Sequence, residues 1–181
     1  STLEMGHESN LVLRKSLRPD WTNFQIMEQL RVTTDPIDDL PANQSFAGML
    51  GSGRLNVLSA LTTTDAKSVR VTDFSINNTL GAFAYFGDTV TVEVGLQNYL
   101  NEVEELAVTA NSSGEFVELI DATVNIGQFD TLATDSVSFR FVLSDETPNE
   151  EAVVLGFDFR GEGYEDRQFI SFNTSPDRLD F

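Results

Sequence analysis

Histidine and cysteine, two residue types that often carry chemistry, are scarce in this chain. His7 is the single histidine, Ser1 and Ser9 are the serines closest to it, and cysteine is absent. A serine nucleophile needs a histidine base and a carboxylate that orients this base. Because no such set can be assigned around His7, we predict no catalytic residues. The missing cysteines exclude disulfides, thiol catalysis and cysteine-ligated metals, and one histidine cannot form a multi-histidine metal site.

Carboxylates are plentiful, and four of them could join backbone carbonyls in a calcium site: Asp88, Glu118, Asp121 and Asp158. A specific calcium loop spaces its acids as Asp-x-Asp-x-Asp, and the chain has no segment with this spacing. We expect these acids to lie on a solvated outer face. We predict no metal site and no bound cofactor.

Four aromatic residues lie at predicted turns or strand edges: Tyr85, Phe86, Tyr99 and Tyr164. Exposed on one flat face, they would suit an adhesion or carbohydrate-binding module. Edge tyrosines that cover a core explain the same positions, and we favour this second interpretation. Four sequences also fit the glycosylation pattern, and we interpret them as polar turns. They begin at Asn43, Asn77, Asn111 and Asn173.

The charge is strongly negative and unevenly distributed. The chain holds 11 basic and 29 acidic residues, a formal net charge of −18. Residues 1–65 carry a net charge of −3, from five basic and eight acidic residues, and residues 66–181 carry −15, from six and 21. Phosphate binding needs a positive surface, so nucleic acid is excluded as a partner. No apolar run approaches the roughly 20 residues of a membrane-spanning helix.

The first third of the chain has helical signals. Thr22 and Gln25 have the spacing of a capping box, which predicts a helix that begins after Thr22 and ends before Pro36. Its predicted apolar face consists of Phe24, Ile26, Met27 and Leu30. A second, short helix is predicted over 54–61, with Leu55, Leu58 and Leu61 on one side.

From Val69 onward the apolar residues recur every second position. Residues 89–96 alternate without error, and similar segments follow near 106–108, 117–119, 124–126, 136–142, 153–159 and 169–172. Seven or eight short strands without intervening helices indicate an immunoglobulin-like antiparallel β-sandwich. Turns are predicted at 86–88, 111–114, 145–149 and 161–163.

Three motifs in residues 11–61 carry a resemblance to a known family. They are Leu11-Val12-Leu13-Arg14-Lys15, Pro19-Asp20-Trp21-Thr22-Asn23 with Gln25-Ile26, and Gly51-Ser52-Gly53-Arg54-Leu55-Asn56-Val57. In order and spacing this stretch resembles the last part of a subtilisin-like serine protease (subtilase) domain. The resemblance implies that residues 1–65 are the final helices of an α/β protease domain.

The resemblance also implies that the catalytic machinery lies elsewhere. In this family the catalytic Asp, His and Asn come from far earlier in the domain, upstream of residue 1. Counted back from Leu11, the nucleophilic serine would fall just before Ser1, and residues 1–10 do not match the serine motif of the family. Ser1, His7 and Ser9 are therefore interpreted as surface or linker residues, and we expect the chain to be inactive as a protease.

The second half carries a weaker resemblance. Phe86-Gly87-Asp88-Thr89-Val90-Thr91-Val92-Glu93-Val94, followed by Gln97-Asn98, is similar to bacterial cell-adhesion-related and fibronectin-like domains that follow secreted proteases. The resemblance implies an accessory module. Sandwich folds host many functions, so the fold alone does not name a ligand.

These observations combine into one interpretation. Residues 1–65 form a helical remnant of a subtilase domain, 66–174 an immunoglobulin-like sandwich, and 175–181 a linker. The function predicted is a non-catalytic C-terminal fragment of a secreted bacterial subtilase, whose sandwich is a spacer, stabilising or docking module. Its expected partners are the rest of the protease domain, a cell-surface polymer or protein substrate, and a second copy bound through the helical segment. The alternative is a free-standing extracellular adhesion or carbohydrate-binding sandwich.

Overall fold

The computed structural model describes residues 18–46, 50–77, 79–80, 84–85, 89–112, 114–144, 146–147 and 152–175. The chain divides into two compact units. The helical unit comprises Ser1–Ser68 with the short segment Tyr99–Asn101, and the sandwich unit comprises Val69–Asn98 with Glu102–Phe181.

The helical unit contains two α-helices within its described residues, α1 at Asn23–Val32 and α2 at Val57–Thr62, and a 3-10 turn at Gln44–Phe46. The predicted capping box is confirmed at the start of α1. The Gln25 amide donates to the Thr22 hydroxyl over 3.2 Å, and the Thr22 amide donates to the Gln25 side chain over 2.9 Å. Two of the free backbone donors at this helix end thereby gain partners.

The buried face of α1 differs from the predicted one. Ile26 and Leu30 form a small core with Ala60 of α2, and Trp21 packs against it, but Phe24 and Met27 are exposed. Gln25 and Gln29 take the buried positions instead. Gln29 is buried because its amide donates to the carbonyls of Thr63 (2.9 Å) and Ala60 (3.4 Å) at the end of α2. These carbonyls have no partner inside α2, so the polar contact decides which face turns inward.

Within its described residues, the sandwich unit contains two five-stranded sheets. The first has the order β2-β1-β4-β8-β6 and the second the order β3-β10-β9-β5-β7. The strands are β1 Val69–Ile76, β2 Thr79–Leu80, β3 Ala84–Tyr85, β4 Thr89–Asn98, β5 Val103–Ser112, β6 Val117–Asp121, β7 Thr123–Phe129, β8 Thr134–Leu143, β9 Ala152–Gly161 and β10 Tyr164–Ser175. All pairings are antiparallel except the short one between β3 and β10. The predicted β-sandwich fold class is confirmed.

Period-two alternation builds the core of the sandwich. In β4 each second side chain from Val90 to Asn98 is buried, as the sequence predicted. Four phenylalanines on β8 and β9 are fully buried, and the rings of Phe139 and Phe157 lie 5.3 Å apart across the two sheets. Such aromatic pairs add to the stabilisation from area burial alone.

Further local predictions are wrong. The helix predicted over 54–61 begins only at Val57, after the N-cap Asn56, so Leu55 lies outside it. The segment 111–114 was predicted as a turn, yet Asn111 and Ser112 still belong to β5, where Asn111 lies opposite Gly156 of β9. Pairing with a neighbouring strand overrides the turn preference of Asn and Ser. The described part of the chain also has ten strands, more than the seven or eight predicted. The strands β2 and β3 have only two residues each, so they are too short to show a period in the sequence.

Candidate functional site

The residues nearest to a catalytic arrangement in the sequence are Ser1, His7 and Ser9. They lie outside the described residues, as do Asp88 and Phe86. Within the described ranges, no helix is long and apolar enough to cross a membrane.

The three described members of the predicted calcium set do not come together. Asp121 ends β6 in the first sheet, and Asp158 lies on β9 in the second. Asp121 accepts a hydrogen bond from Arg140 over 2.5 Å, and Asp158 is bound by Arg167. Glu118 is exposed on β6. In the part of the chain that the structure describes, no group of three or more histidine or acidic side chains could hold a metal ion.

Asp158 is the centre of a hydrogen-bonded cluster on the outer face of the second sheet. Arg167 of β10, its cross-strand neighbour, donates to both carboxylate oxygens, through Nε to Oδ1 and through Nη2 to Oδ2 (3.0 Å). Asn111 of β5 donates its amide to Oδ2 over 3.0 Å. The hydrogen bond from Arg167 lowers the pKa of Asp158, against a smaller opposing effect of burial. The cluster joins three neighbouring strands and keeps this carboxylate ionised.

The predicted aromatic candidates do not form one surface. Tyr164 is 7% exposed, and its hydroxyl is bonded to the backbone of Val69, so the expectation of a core-covering tyrosine is confirmed for it. Tyr99 belongs to the helical unit, where its ring lies 6.0 Å from that of Phe24. Tyr85 lies in β3, and its side chain is outside the described part.

Phe169 is an exposed aromatic residue that is not among the four predicted candidates. It is 61% exposed on the outer face of β10, opposite Gly156 of β9 and two positions from Arg167. Its ring and the Asn111 amide lie over Gly156, where a Cβ would meet them at 3.1 and 2.4 Å. The signal was present in the alternation of β10. Ile170 and Phe172 point inward, so Phe169 must point outward.

The Gly-x-Gly-Arg-Leu-Asn motif builds a structural loop around Asp35. Asp35 and Arg54 exchange two backbone hydrogen bonds of 2.8 and 2.9 Å, and Gly53 passes so close that a Cβ there would lie 2.3 Å from the Asp35 carbonyl oxygen. Asn56 donates to the Asp35 carboxylate over 2.7 Å, Arg54 donates to it over 3.0 Å, and the Asn56 oxygen caps α2 at Ser59. The hydrogen bonds from Asn56 and then Arg54 lower the pKa of Asp35. We call this set the Asp35 loop.

The glycosylation-type sequences have two structural forms. Asn43 and Asn77 lie in turns, as predicted, and both side chains bond to backbone groups. Asn111 and Asn173 lie in strands, and the amide of Asn111 is used by the Asp158 cluster.

The cavities outlined by the described residues include two shallow ones. One of about 290 Å³ in the helical unit is lined by Met27, Leu30, Arg31, Thr34, Ser52, Gly53 and Leu55. The other, of about 220 Å³, lies at one end of the sandwich and is lined by Ser112, Gly114, Phe116, Val117, Thr147, Ala152, Val153 and Val154. Both linings are mainly apolar and contain no pair of titratable groups suited to acid–base catalysis.

Comparisons with known proteins give similarity of fold only. No family model and no curated protein matches the chain. The solved structures similar to it include native α-2-macroglobulin of Escherichia coli from domain MG7 to the C-terminus, at a TM-score of 0.47 and 15% identity, covering 63% of this chain and 17% of that one. Another is a CARDB domain of Pyrococcus furiosus in complex with di-metal ions, at 0.43 and 11%, covering 64% and 92%. A third is the major pilin subunit of Bacillus cereus, at 0.39 and 12%, covering 61% and 40%. None of the three is a subtilisin-like protease.

Proposed function

We propose that this chain is a non-catalytic section of an exported bacterial subtilase. In this proposal the helical unit completes the protease domain, and the sandwich is an accessory module that acts as a spacer, stabiliser or docking surface. The partner of the helical unit is the rest of the protease domain, and the location is outside the cell or on its surface.

The observation that carries the proposal is the exposed apolar surface of the helical unit. Leu58 is 72% exposed, Phe24 64%, Met27 52% and Leu55 38%. Burial of one large apolar side chain stabilises a protein by about 1.5–3 kcal/mol, so a set of four exposed ones favours a contact with further protein. A segment that forms the last helices of a larger α/β domain would have such a surface.

The Asp35 loop contains the motif that resembles the end of a subtilase. Its residues position backbone and cap a helix, so in the proposal this motif has a structural use. Asp35 and Asp158 both have lowered pKa values. A general acid at neutral pH needs the opposite shift, so neither carboxyl suits that role.

The coding sequence upstream of Ser1 provides the first test. It is expected to encode the Asp, His, Asn and Ser motifs of a subtilase, and their absence would overturn the proposal. A fluorophosphonate probe should label the longer polypeptide and leave this chain unlabelled. Labelling of Ser1 or Ser9 with turnover of casein would contradict the assignment of this chain as non-catalytic.

A second test uses Leu58. If this side chain packs into a protease domain, Leu58→Asp in the longer polypeptide should sharply lower the yield of active enzyme, because a charge would be buried without a partner. Leu132→Asp is a matched control, since Leu132 is an exposed leucine of the sandwich unit. Equal yields from both variants would count against the proposed packing.

The outer face of the second sheet around Phe169 supports a second candidate function, which is docking to a polymer. Phe169 and Val154, which is 42% exposed, lie on the outer face of one sheet beside Asn111. Two acids near Phe169 on this face have basic neighbours: Asp158 pairs with Arg167, and Glu165 lies opposite Arg160. A flat, locally neutral surface with an exposed aromatic ring suits an uncharged polysaccharide better than a charged ligand.

Co-sedimentation with insoluble cellulose and chitin, two uncharged polysaccharides, tests this second candidate. The full chain should be retained by at least one of the two polymers, and Phe169→Ala should lower the retained fraction several-fold. Leu132→Ala removes an exposed apolar side chain elsewhere and should leave retention unchanged. Absence of retention on both polymers, or equal retention of both variants, would reject the candidate.

A further inference from the structure

Two side chains of β10, the last strand of the sandwich unit, form hydrogen bonds with the backbone of β1, the first strand. The Tyr164 hydroxyl accepts from the Val69 amide over 2.9 Å and donates to the Val69 carbonyl over 3.1 Å. Gln168 donates to the same carbonyl over 2.8 Å and accepts from the Val71 amide over 2.9 Å. We call these four residues the β1–β10 clasp. Such bonds cover backbone groups that a sheet edge would leave open.

The clasp links the two sheets directly. β1 belongs to the first sheet and β10 to the second. The two strands run in the same direction through these contacts. Val69 contacts Tyr164, and Val71, two residues later in β1, contacts Gln168, which lies later in β10. Further along β10, Thr174 and Ser175 pair in parallel with Ala84 and Tyr85 of β3. Two separate contacts therefore hold the N-terminal strands alongside β10 in a parallel sense.

This arrangement determines how a pull on the chain would act. The polypeptide enters the sandwich unit at Val69, next to the start of β10, and β10 runs on to Ser175. At about 3.3 Å per residue, Ser175 lies roughly 35 Å along β10 from Tyr164. A force applied to the two ends pulls β1 and β10 in opposite directions along their length. The hydrogen bonds between them lie across this direction, so they must break together and not one after another.

We propose that the β1–β10 clasp makes the sandwich unit resistant to tension between its two ends. The proposal rests on the spacer role proposed above, since a spacer between a protease domain and an anchored surface would experience such tension. Tyr164 and Gln168 are only 7% and 8% exposed, so water has little access to compete for their hydrogen bonds.

Single-molecule force spectroscopy on the full chain tests the proposal. The chain has no cysteine, so one added at each end gives unique attachment points. Unfolding of the sandwich unit releases about 35 nm of extended chain, which distinguishes this event from unfolding of the smaller helical unit. The measurement is the lifetime of the sandwich unit at constant force. Tyr164→Phe and Gln168→Leu should each shorten this lifetime by about five- to tenfold. This is the effect expected from the loss of one or two hydrogen bonds that are already broken in the transition state for unfolding.

Ile170→Val is the matched control. Ile170 lies on the same strand and is buried, but it makes no clasp contact. The Ile170→Val variant should lose about as much equilibrium stability as the clasp variants. At equal loss of stability in urea, the clasp variants should lose more lifetime under force than Ile170→Val. An equal or smaller loss would overturn the proposal. The upstream coding sequence decides the subtilase assignment separately, so each idea can fail without the other.

Discussion

At the scale of single residues, Asp158 shows how one ion pair makes stability depend on pH. The hydrogen bond from Arg167 lowers the pKa of Asp158 from its usual value of 3.8 in the folded protein. A carboxyl with a lowered folded pKa stabilises the fold above its unfolded pKa, and this contribution is lost as the pH falls through the folded pKa. The contribution of Asp158 is therefore present at neutral pH and disappears below about pH 4.

Asp158→Asn should remove this pH dependence while keeping the shape of the side chain. We expect the free energy of unfolding of the variant to fall less steeply than that of the wild type between about pH 5 and pH 2. Urea unfolding at a series of pH values, followed by circular dichroism, measures the difference. Arg167→Gln removes the partner and should have the same effect, and the double variant should add little more. A parallel pH profile in wild type and Asp158→Asn would refute the role of this pair.

At the scale of elements, the Asp35 loop depends far more on Gly53 than on Gly51. Gly53 has φ +123° and is in close contact with the Asp35 carbonyl, whereas Gly51 has φ +72° and a Cβ there would have no other atom within 4 Å. Both positions disfavour a side chain by their φ values, but only at Gly53 would the added atom also push Asp35 away from Arg54.

Gly53→Ala should destabilise the helical unit by about 1–3 kcal/mol more than Gly51→Ala. Trp21, the single tryptophan, packs against the small core of this unit, so its fluorescence in a urea titration reports on the change. Hydrogen exchange of the α2 amides gives a second measurement at the site itself. Equal midpoints for the two variants would show that the close approach to Asp35 contributes nothing.

At the scale of the whole molecule, the exposed apolar surface of the helical unit predicts self-association when no larger partner is present. Leu58, Phe24 and Met27 are more than half exposed. Light scattering over a concentration series should show an increase in mass, and Leu58→Asp should suppress it, because burial of an unpaired charge is unfavourable. Leu30 is unsuitable for this test, since it is 5% exposed and belongs to the core of the unit. A monomer at all concentrations would contradict the prediction.

The sandwich unit should fold without the helical unit, because its own core contains the four fully buried phenylalanines of β8 and β9. Limited proteolysis of the full chain should remove residues N-terminal to about 66 first and leave the strands intact. Early cleavage within β4, β8 or β9 would be inconsistent with an autonomous sandwich.

Local patterns were sufficient for part of this structure. The capping box of Thr22 and Gln25 and the strict alternation of β4 act between residues close in sequence, so they could be read directly. The same alternation indicated two packed sheets. The resemblance of residues 11–61 to the end of a subtilase also came from the sequence alone, and it remains a proposal.

Other features depend on contacts between distant residues, so the tertiary structure alone decided them. Gln29 is buried because it reaches carbonyls more than thirty residues away, and Tyr164 and Gln168 bond to a strand almost a hundred residues earlier. The same holds for Asp158, which was expected to be a solvated acid or a calcium ligand and instead pairs with Arg167 across two strands. A side chain's periodic position indicates whether it faces the core, but its partner depends on which strands become neighbours.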